Sequence, residues 1–176
     1  MITLITGGSK CGKSRYAEDI LTGFDGRRIY VAAMQPYGEE AHEAIARHRR
    51  LRAGKGFETI ERYTDIGELQ LPQGCAVLLE CVGNLCANEM FRDGKMYRPA
   101  DKISAEIQLL AARAEELVIV TNQVGSDGIS YAEGTAAYMA EMEKINRSIA
   151  VSADCVIECV YGIPLVLKGA LPCSGR

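Results

Sequence analysis

An eight-residue glycine-rich motif near the start of the chain restricts the possible folds more than any other feature of the sequence. Residues 7–14 read GGSKCGKS and fit the pattern G-x-x-x-x-G-K-[S/T], after the apolar run Ile2–Thr6 and before a helical pattern. Glycines let the backbone wrap around a phosphate, successive N–H groups form an anion nest, and the following helix N-terminus favours negative charge. The motif predicts a phosphate-binding loop, here called the phosphate loop, that consists of Gly7, Gly8, Ser9, Lys10, Cys11, Gly12, Lys13 and Ser14.

Two side chains of the phosphate loop have predicted roles toward a nucleoside triphosphate and its metal ion. Lys13 is placed to reach the β- and γ-phosphates, and the Ser14 hydroxyl can bind Mg²⁺. Proteins with a phosphate loop of this kind need a further carboxylate near the metal, at the end of another core strand. The run Ala76–Glu80 supplies it, because four apolar residues precede the acid. We therefore predict that Ser14 and Glu80 hold Mg²⁺; the alternative is a Glu80 that only meets solvent at its strand end.

Short β-rich runs alternate with longer helical patterns, which predicts a doubly wound α/β fold. Several runs are nearly continuous in Val, Ile and Leu, as expected for a mostly parallel sheet flanked by helices. The predicted strands are residues 2–6, 28–33, 76–81, 117–121 and 156–161, with a sixth candidate at 165–168. The predicted helices are residues 13–22, 39–52, 82–91, 100–116 and 133–150. Residues 1–176 are expected to form one nucleotide-binding domain, with 169–176 as a frayed tail.

Charge and apolar patterning exclude several functional classes. The chain has 20 Lys and Arg against 23 Asp and Glu, a net charge of −3, whereas a dedicated nucleic-acid binder usually carries a basic excess. No apolar run approaches the ~20 residues needed to cross a bilayer, and the first seven residues lack the features of a secretory signal. We expect a cytoplasmic protein without a nucleic-acid partner or a membrane span, whose seven cysteines are reduced structural thiols.

One of the two histidines is a candidate nucleophile, because it lies in a strongly basic segment. His48 stands within RHRRLR at residues 47–52. Such a charge run is often only a solvated helix face. Beside a phosphate loop, however, arginines can neutralise phosphate oxygens in a two-pronged geometry, and a neutral imidazole can attack an α-phosphorus to form a covalent nucleotidyl intermediate. We predict that His48 and Lys13 are catalytic, whereas His42 lacks this setting and is expected on a helix surface.

Several segments, in order along the chain, closely resemble those of one enzyme family. They are ITGG at 5–8 and GKSR at 12–15, YVAAMQP at 30–36, IARHR at 45–49, LLEC at 78–81, VTNQVG at 120–125, IN at 145–146 and GIPL at 162–165. The phosphate loop alone is unspecific, but its combination with the A-R-H-R segment is much more specific. Over nearly its whole length the chain resembles the bifunctional adenosylcobinamide kinase/adenosylcobinamide-phosphate guanylyltransferases of cobalamin assembly.

This resemblance implies a RecA-like P-loop nucleotide-binding domain with two activities. The first phosphorylates the aminopropanol hydroxyl of adenosylcobinamide with ATP or GTP, and the second transfers GMP from GTP onto that phosphate and releases pyrophosphate. The guanylylated histidine of the family corresponds to His48, and family members are typically trimers. The resemblance also implies nucleotide contacts, beyond the phosphate loop, at Ala32, Ala33, Met34, Arg49, Arg50, Leu51, Arg52, Glu61 and Glu80.

The chain departs from the family pattern in three places. It lacks the tryptophan that precedes the family's T-x-E segment, and the corresponding FETIE at 57–61, which ends in Glu61, is shifted by one inserted residue. Gln123 replaces a glutamate in the family's N-E-V-G segment, and the helix at 136–146 keeps an aromatic, Tyr138, and Asn146 but lacks the family's arginines and aspartate. Two other interpretations stay open: a plain P-loop small-molecule kinase without a covalent intermediate, and a GTP-binding regulatory module. The sequence TNQV at 121–124 is not the guanine-reading N-K-x-D motif, which disfavours a switch GTPase.

Overall fold

The computed structural model describes residues 1–125, 129 and 131–171, and the side chains of Glu40 and Leu51 lie outside this description. The strands in this part of the chain are β1 (Ile2–Thr6), β2 (Arg28–Ala32), β3 (Phe57–Glu61), β4 (Ala76–Glu80), β5 (Phe91–Arg92), β6 (Lys95–Met96), β7 (Glu116–Val120), β8 (Cys155–Val160) and β9 (Ile163–Lys168). The helices are α1 (Lys13–Thr22), α2 (Gly38–Arg52), α3 (Val82–Met90), α4 (Ala100–Arg113) and α5 (Glu133–Ser152), with a 3-10 turn at Ile66–Glu68.

Seven of these strands form one sheet in the order β3-β2-β4-β7-β1-β8-β9. All neighbouring pairs in this sheet are parallel except β8 and β9, and β5 and β6 form a separate antiparallel ribbon. β1 lies in the interior, where Ile2 pairs with Leu117 of β7 and Thr3 pairs with Cys155 of β8. Parallel neighbours need crossover connections, and the helices supply them. The predicted mostly parallel sheet flanked by helices is confirmed.

Helices cover both faces of the sheet, so the interior strands are buried on both sides. On one face, α1 packs Ala17, Ile20 and Leu21 against sheet residues that include Ile5 and Leu78. The other face is covered by α3, α4 and α5, which contribute Val82, Leu85, Cys86, Ile103, Ile107, Leu110, Met142, Ile145 and Ile149. Removal of this apolar surface from water stabilises the arrangement. All five residues of β4 are buried, including its terminal acid.

The structure adds three strands to the sequence-based prediction, β3 and the two-residue strands β5 and β6, and shortens the helix predicted over 100–116. β3 is missing from the predicted strands, because it is an edge strand that pairs only with β2 and is therefore mostly exposed and rich in polar side chains. The helix predicted to reach residue 116 ends at Arg113. Glu115 N donates to Cys75 O, and Glu116 pairs with Ala76 at the start of β7. The sixth strand candidate is β9, which begins two residues earlier than predicted.

The six cysteines in the described part of the chain are free thiols, and five of them are buried, in agreement with the structural role predicted for them. Cys173 and most of the predicted tail at 169–176 lie outside the described residues. Among the helices whose residues are described, none combines enough length with enough apolar character to span a membrane.

The carboxyl ends of β1, β2, β4 and β7 lie along one edge of the sheet, because these strands are parallel. In the register of the sheet, Ala32 pairs with Glu80, and Glu80 pairs with Val120. The phosphate loop follows β1 at the same edge. Open α/β sheets bind their ligands in the crevice outside this edge. The fold therefore places Glu80 and the phosphate loop around a common space.

Candidate active site

The phosphate loop leaves β1 through backbone conformations that favour glycine. Gly7 has a φ angle of 148°, and Gly12, the N-cap of α1, has a φ angle of 98°. A Cβ atom on Gly7 would lie 2.6 Å from the Cys159 carbonyl oxygen and 2.8 Å from Cys11 Sγ, closer than such atoms can approach. The loop therefore turns tightly enough for its N–H groups to surround an anion.

Three hydrogen bonds from other segments hold the phosphate loop in shape. Gln123 N donates to Gly7 O at 3.2 Å, and Gly162 N donates to Cys11 O at 2.7 Å. Cys159 Sγ donates to the same Cys11 oxygen at 3.3 Å. These donors follow β7 or belong to the β8–β9 hairpin, and β7 and β8 are the neighbours of β1 in the sheet. The two flanking strands thus preorganise the loop.

Two polar side chains at the start of α1 face the space beside the loop. Lys13 is only 7% exposed and donates from Nζ to Gly8 O at 2.8 Å. A buried ammonium group is stabilised by a compensating anion, which a polyphosphate would provide. Ser14 Oγ donates to Glu80 Oε1, which joins α1 to β4. A hydroxyl and a carboxylate in contact are the hard oxygen ligands that Mg²⁺ prefers, so this pair fits the predicted metal ion.

Glu80 connects β4 to three other elements. Besides its contact with Ser14 of α1, its Oε2 accepts a hydrogen bond from the Tyr30 hydroxyl of β2 at 2.8 Å. Its Oε1 lies 3.6 Å from His48 Nδ1 of α2. The peptide bond that follows, between Glu80 and Cys81, is cis. Burial, with the neighbouring Glu80 charge, raises the pKa of the Tyr30 phenol far above its usual range, so Tyr30 remains a donor.

Helix α2 places His48 and Arg52 one turn apart over the carboxyl edge of the sheet. The Arg52 guanidinium carbon lies 3.5 Å from the centroid of the Tyr30 ring, a cation–π contact. Just after the helix, Lys55 Nζ donates to the buried Glu18 of α1 at 2.8 Å. The His48 side chain is 18% exposed, and its buried Nδ1 has no hydrogen-bond partner among the described residues. These contacts anchor the end of α2 so that the His48 ring faces Glu80.

One cavity of about 540 Å³ is lined by the polar side chains of Lys13, Ser14, Tyr30, His48, Arg52 and Glu80, among others. Within the described residues, this lining has a single carboxylate, that of Glu80, and five cations, which are Lys10, Lys13, Arg15, Arg47 and Arg52. A concave site with this excess of positive charge attracts and neutralises phosphate groups. Its volume is in the range of sites that bind small molecules and cofactors. The arrangement can therefore hold a nucleoside triphosphate with its phosphates over the loop.

Most of the predicted nucleotide-binding residues meet at this cavity. Those that line it are Ser9, Lys10, Cys11, Gly12, Lys13, Ser14, Met34, Arg52 and Glu80, and the predicted nucleophile His48 lines it with them. Gly7 and Gly8 belong to the same loop but are not among the lining residues. Ala32 and Ala33 contribute to the two apolar layers on opposite faces of the sheet, so their side chains belong to the core and not to the cavity lining.

A second group of predicted residues lies beside the cavity. Arg49 donates from its guanidinium to Glu61 Oε1 at 2.6 Å, which ties α2 to the edge strand β3. Together with Arg52, Arg49 borders a shallow basic depression next to the main cavity. Arg50 is exposed, and the side chain of Leu51 lies outside the described residues. Any nucleotide contact by Arg49 or Glu61 would therefore be made at the rim.

Several polar residues of the cavity are missing from the predicted set. They are Arg15, Tyr30, Arg47, Asn84 and Asn122. A sequence signal exists for two of them, because Arg47 belongs to the basic segment and Asn122 follows β7 at the ligand-binding edge of the sheet. Tyr30 carries no such signal, since an aromatic residue is ordinary within a buried strand.

Two of the departures from the family pattern, at Gln123 and in α5, have local structural consequences. Gln123 Nε2 donates to Glu158 Oε1 at 2.8 Å, whereas a glutamate at this position would place two carboxylates side by side. In α5, the Tyr138 hydroxyl donates to the backbone of α3 at 3.2 Å. Thr121 Oγ1 donates to Asn146 Oδ1 at 2.7 Å. Tyr138 and Asn146, the two residues of the family pattern that α5 keeps, thus bind α5 to α3 and to the residue that follows β7.

The phosphate loop connects β1 to α1, and the Ser14–Glu80 pair and a basic cavity lie beside it at the carboxyl edge of a parallel sheet. These features define a RecA-like P-loop nucleotide-binding protein. A solved ATPase domain shares this fold at a TM-score of 0.51 and 9% sequence identity, and the match covers 89% of this chain and 68% of that one. A prototypical ATPase from the type III secretion system of pathogenic bacteria does so at a TM-score of 0.52 and 11% identity, with 89% of this chain and 50% of that one covered. The predicted fold class is confirmed.

The sequence model of the family "Cobinamide kinase / cobinamide phosphate guanyltransferase" matches residues 3–167. The bifunctional adenosylcobalamin biosynthesis protein CobU of Escherichia coli K12 is 32% identical over 184 residues, which cover 96% of this chain and 100% of that protein. Its namesake from Salmonella typhimurium LT2 is 30% identical with the same coverage. The chain belongs to the cobinamide kinase/cobinamide phosphate guanyltransferase family. The resemblance found in the sequence is confirmed, and with it a bifunctional enzyme of cobalamin biosynthesis.

Proposed function

We propose that this chain phosphorylates adenosylcobinamide with ATP or GTP and then transfers GMP from GTP to the new phosphate through a guanylylated His48. The position of His48 carries the proposal: its ring borders the same cavity as the phosphate loop, and its buried Nδ1 faces Glu80. A phosphate loop alone supports phosphoryl transfer. A histidine in the same cavity adds the nucleophile that a covalent nucleotidyl intermediate needs.

The first reaction depends on neutralising phosphate charge more than on a strong base. Phosphoryl transfer passes through a loose transition state with charge spread over the equatorial oxygens. The N–H groups of the phosphate loop and Lys13 Nζ are placed to stabilise that charge. Mg²⁺ held by Ser14 and Glu80 would supply further neutralisation of the phosphates. The substrate oxygen bonds to the γ-phosphorus, the nucleoside diphosphate leaves, and the hydroxyl proton passes to solvent.

The second reaction uses the ring nitrogen of His48 that does not face Glu80. The Nε2 lone pair forms a bond to the α-phosphorus of GTP, the bond to the β-phosphate oxygen breaks, and pyrophosphate leaves. An oxygen of adenosylcobinamide phosphate then attacks the same phosphorus and displaces Nε2, which regains its lone pair. Basic side chains around the cavity, among them Arg47 and Arg52, would neutralise the phosphate oxygens in both displacements.

Intact-protein mass spectrometry after incubation with Mg²⁺ and GTP tests this proposal, with pyrophosphatase present to draw the reaction forward. We expect a gain of one GMP that is lost in acid, because a phosphorus–nitrogen bond to imidazole hydrolyses readily there. Peptide fragmentation is expected to locate the group on His48, with His42 as the internal control. A chain that binds GTP but never gains this adduct is a plain kinase, and the covalent route is then wrong.

We further propose that the enzyme is a cytoplasmic homotrimer in which β9 contributes to the subunit contact. β9 is an edge strand of the sheet, and its apolar side chains Ile163, Leu165, Val166 and Leu167 are all exposed. Proteins usually cover an exposed apolar edge, because it otherwise promotes aggregation. The family resemblance implies a trimer, so we expect the other two copies of this chain to cover the exposed apolar side chains of β9.

Replacing both Ile163 and Leu167 by lysine is expected to separate the trimer, because the charges would be buried without partners at the contact. Light scattering on a sizing column should show a fall from three times the chain mass of 19.1 kDa to a single chain mass. Leu109→Lys, which alters an exposed leucine on α4, is the matched control and should stay trimeric. A monomeric wild type contradicts the trimer, and a double variant that stays trimeric contradicts the role of β9.

A further inference from the structure

The buried tyrosine of β2 has a contact whose purpose the proposed function leaves unassigned. We propose that Tyr30 is a positioning residue, which holds the Glu80 carboxylate so that one oxygen faces both Ser14 and His48. The inference rests on the proposed function, because its consequence is the orientation of the His48 nucleophile. This role of Tyr30 is distinct from the phosphate binding assigned to the phosphate loop, because the Tyr30 hydroxyl donates its hydrogen bond to Glu80.

The two oxygens of Glu80 have separate partners. Oε2 accepts the Tyr30 hydroxyl at 2.8 Å, whereas Oε1 accepts Ser14 Oγ and lies 3.6 Å from His48 Nδ1. Rotation of the carboxylate about its last side-chain bond would break the bond to Tyr30. Because the hydroxyl and the carboxylate are both buried, that loss would leave an unpaired polar group away from water. The Tyr30 bond therefore fixes the direction in which Oε1 points.

Tyr30 is itself held from three sides. Its strand lies in the interior of the sheet between β3 and β4. Its ring meets the Phe57 ring edge-on, with centroids 6.4 Å apart and planes at 81°, and the Arg52 guanidinium covers the ring at 3.5 Å. Because its side chain is only 3% exposed, the hydroxyl has little freedom to move. A positioning group works best when packing fixes its own rotamer.

The orientation of Glu80 matters for His48, whose buried Nδ1 has no hydrogen-bond partner among the described residues. A slight approach of Nδ1–H to Oε1 would form a histidine–carboxylate hydrogen bond. That bond selects the tautomer whose lone pair is on Nε2, which is the atom that attacks phosphorus. As the bond from Nε2 to phosphorus forms, the imidazole becomes positive, and the fixed carboxylate stabilises this charge.

Tyr30→Phe tests the inference, because it keeps the ring and removes only the hydroxyl. In a rapid-quench experiment with Mg²⁺ and GTP, the rate constant for GMP attachment to His48 is expected to fall about 10-fold, as is typical when a partner of a catalytic group is removed. The affinity for GTP should stay within about twofold, since the contacts of the phosphate loop are unchanged. Tyr138→Phe is the matched control, because it also loses one tyrosine hydroxyl bond, at 3.2 Å, but to the Gly83 carbonyl and not to Glu80.

A double-mutant cycle with Glu80→Gln shows whether Tyr30 acts through Glu80. We expect Tyr30→Phe to have no further effect on the rate of adduct formation in the Glu80→Gln background, because the carboxylate to be oriented is gone. Losses that multiply in the double variant would overturn the inference, as would a wild-type rate for Tyr30→Phe. A slower rate accompanied by an equal loss of GTP affinity would also overturn it. A wild type that forms no adduct contradicts the proposed function itself. A wild type that forms the adduct, with an unchanged rate in Tyr30→Phe, contradicts only the positioning role of Tyr30.

Discussion

Replacing His48 by alanine is expected to separate the two activities of this enzyme. The variant should gain no GMP, and its guanylyl transfer should fall by a factor of about 10³ or more, because loss of a covalent nucleophile leaves only binding and electrostatic stabilisation. Phosphorylation of adenosylcobinamide with ATP should change by less than about tenfold, since the phosphate loop and the Ser14–Glu80 pair remain. Chromatographic separation of the phosphorylated and guanylylated products measures both rates in one assay.

His42 provides the matched control for this substitution. It lies on the same helix but is exposed, and its Nδ1 contacts Gly38 O at 2.7 Å. His42→Ala should retain both activities. Guanylyl transfer that survives in His48→Ala would contradict the covalent route, whereas an equal loss of both activities would mean that His48 shapes the whole cavity and is not a dedicated nucleophile.

Lys13→Ala is expected to impair both reactions together. Its ammonium group is buried beside the phosphate loop and is placed to neutralise charge on the transferring phosphoryl group. Removal of one such donor typically lowers the rate of the chemical step by about 10²–10³-fold. We therefore expect kcat for adenosylcobinamide phosphorylation and the rate of GMP attachment to His48 to fall by factors in this range. Steady-state kinetics and rapid-quench mass spectrometry measure the two quantities.

Lys144→Ala is the matched control for Lys13→Ala. Lys144 is exposed on α5 and is not a lining residue of the cavity; its partner at 3.0 Å, the buried Glu141, keeps the hydrogen bond from Ala100 N when Lys144 is removed. This variant should keep wild-type rates. If Lys13→Ala reduced only one of the two reactions, the proposal that both nucleotides use the phosphate loop would be wrong.

The features of the site that the sequence could predict are those specified by short contiguous segments. The phosphate loop is recognisable because its glycines, lysine and serine act through adjacent backbone atoms. Glu80 is predictable because an acid that ends a buried parallel strand has to emerge at the ligand-binding edge. The structure brings this glutamate into contact with Ser14, although the two residues are far apart in the chain.

The remaining contacts depend on how distant elements cross. Tyr30 meets Glu80 because β2 and β4 are neighbours in the sheet, although β3 lies between them in the sequence. Arg52 covers the Tyr30 ring, and Arg49 pairs with Glu61, only because α2 runs above this part of the sheet. A pattern of charges on α2 cannot specify these partners, so the basic segment predicted a phosphate site without predicting how each arginine is used.

The central position of β1 has a consequence for the order in which the molecule can be completed during synthesis. β1 and its loop leave the ribosome before the other strands of this sheet, yet β1 pairs with Leu117 and Cys155, and the loop receives backbone hydrogen bonds from residues 123 and 162. At typical translation rates these partners follow after on the order of ten seconds. Until then the nascent chain has its nucleotide-binding motif but not the scaffold that shapes it. A preformed phosphate loop is therefore among the last features that the newly made polypeptide acquires.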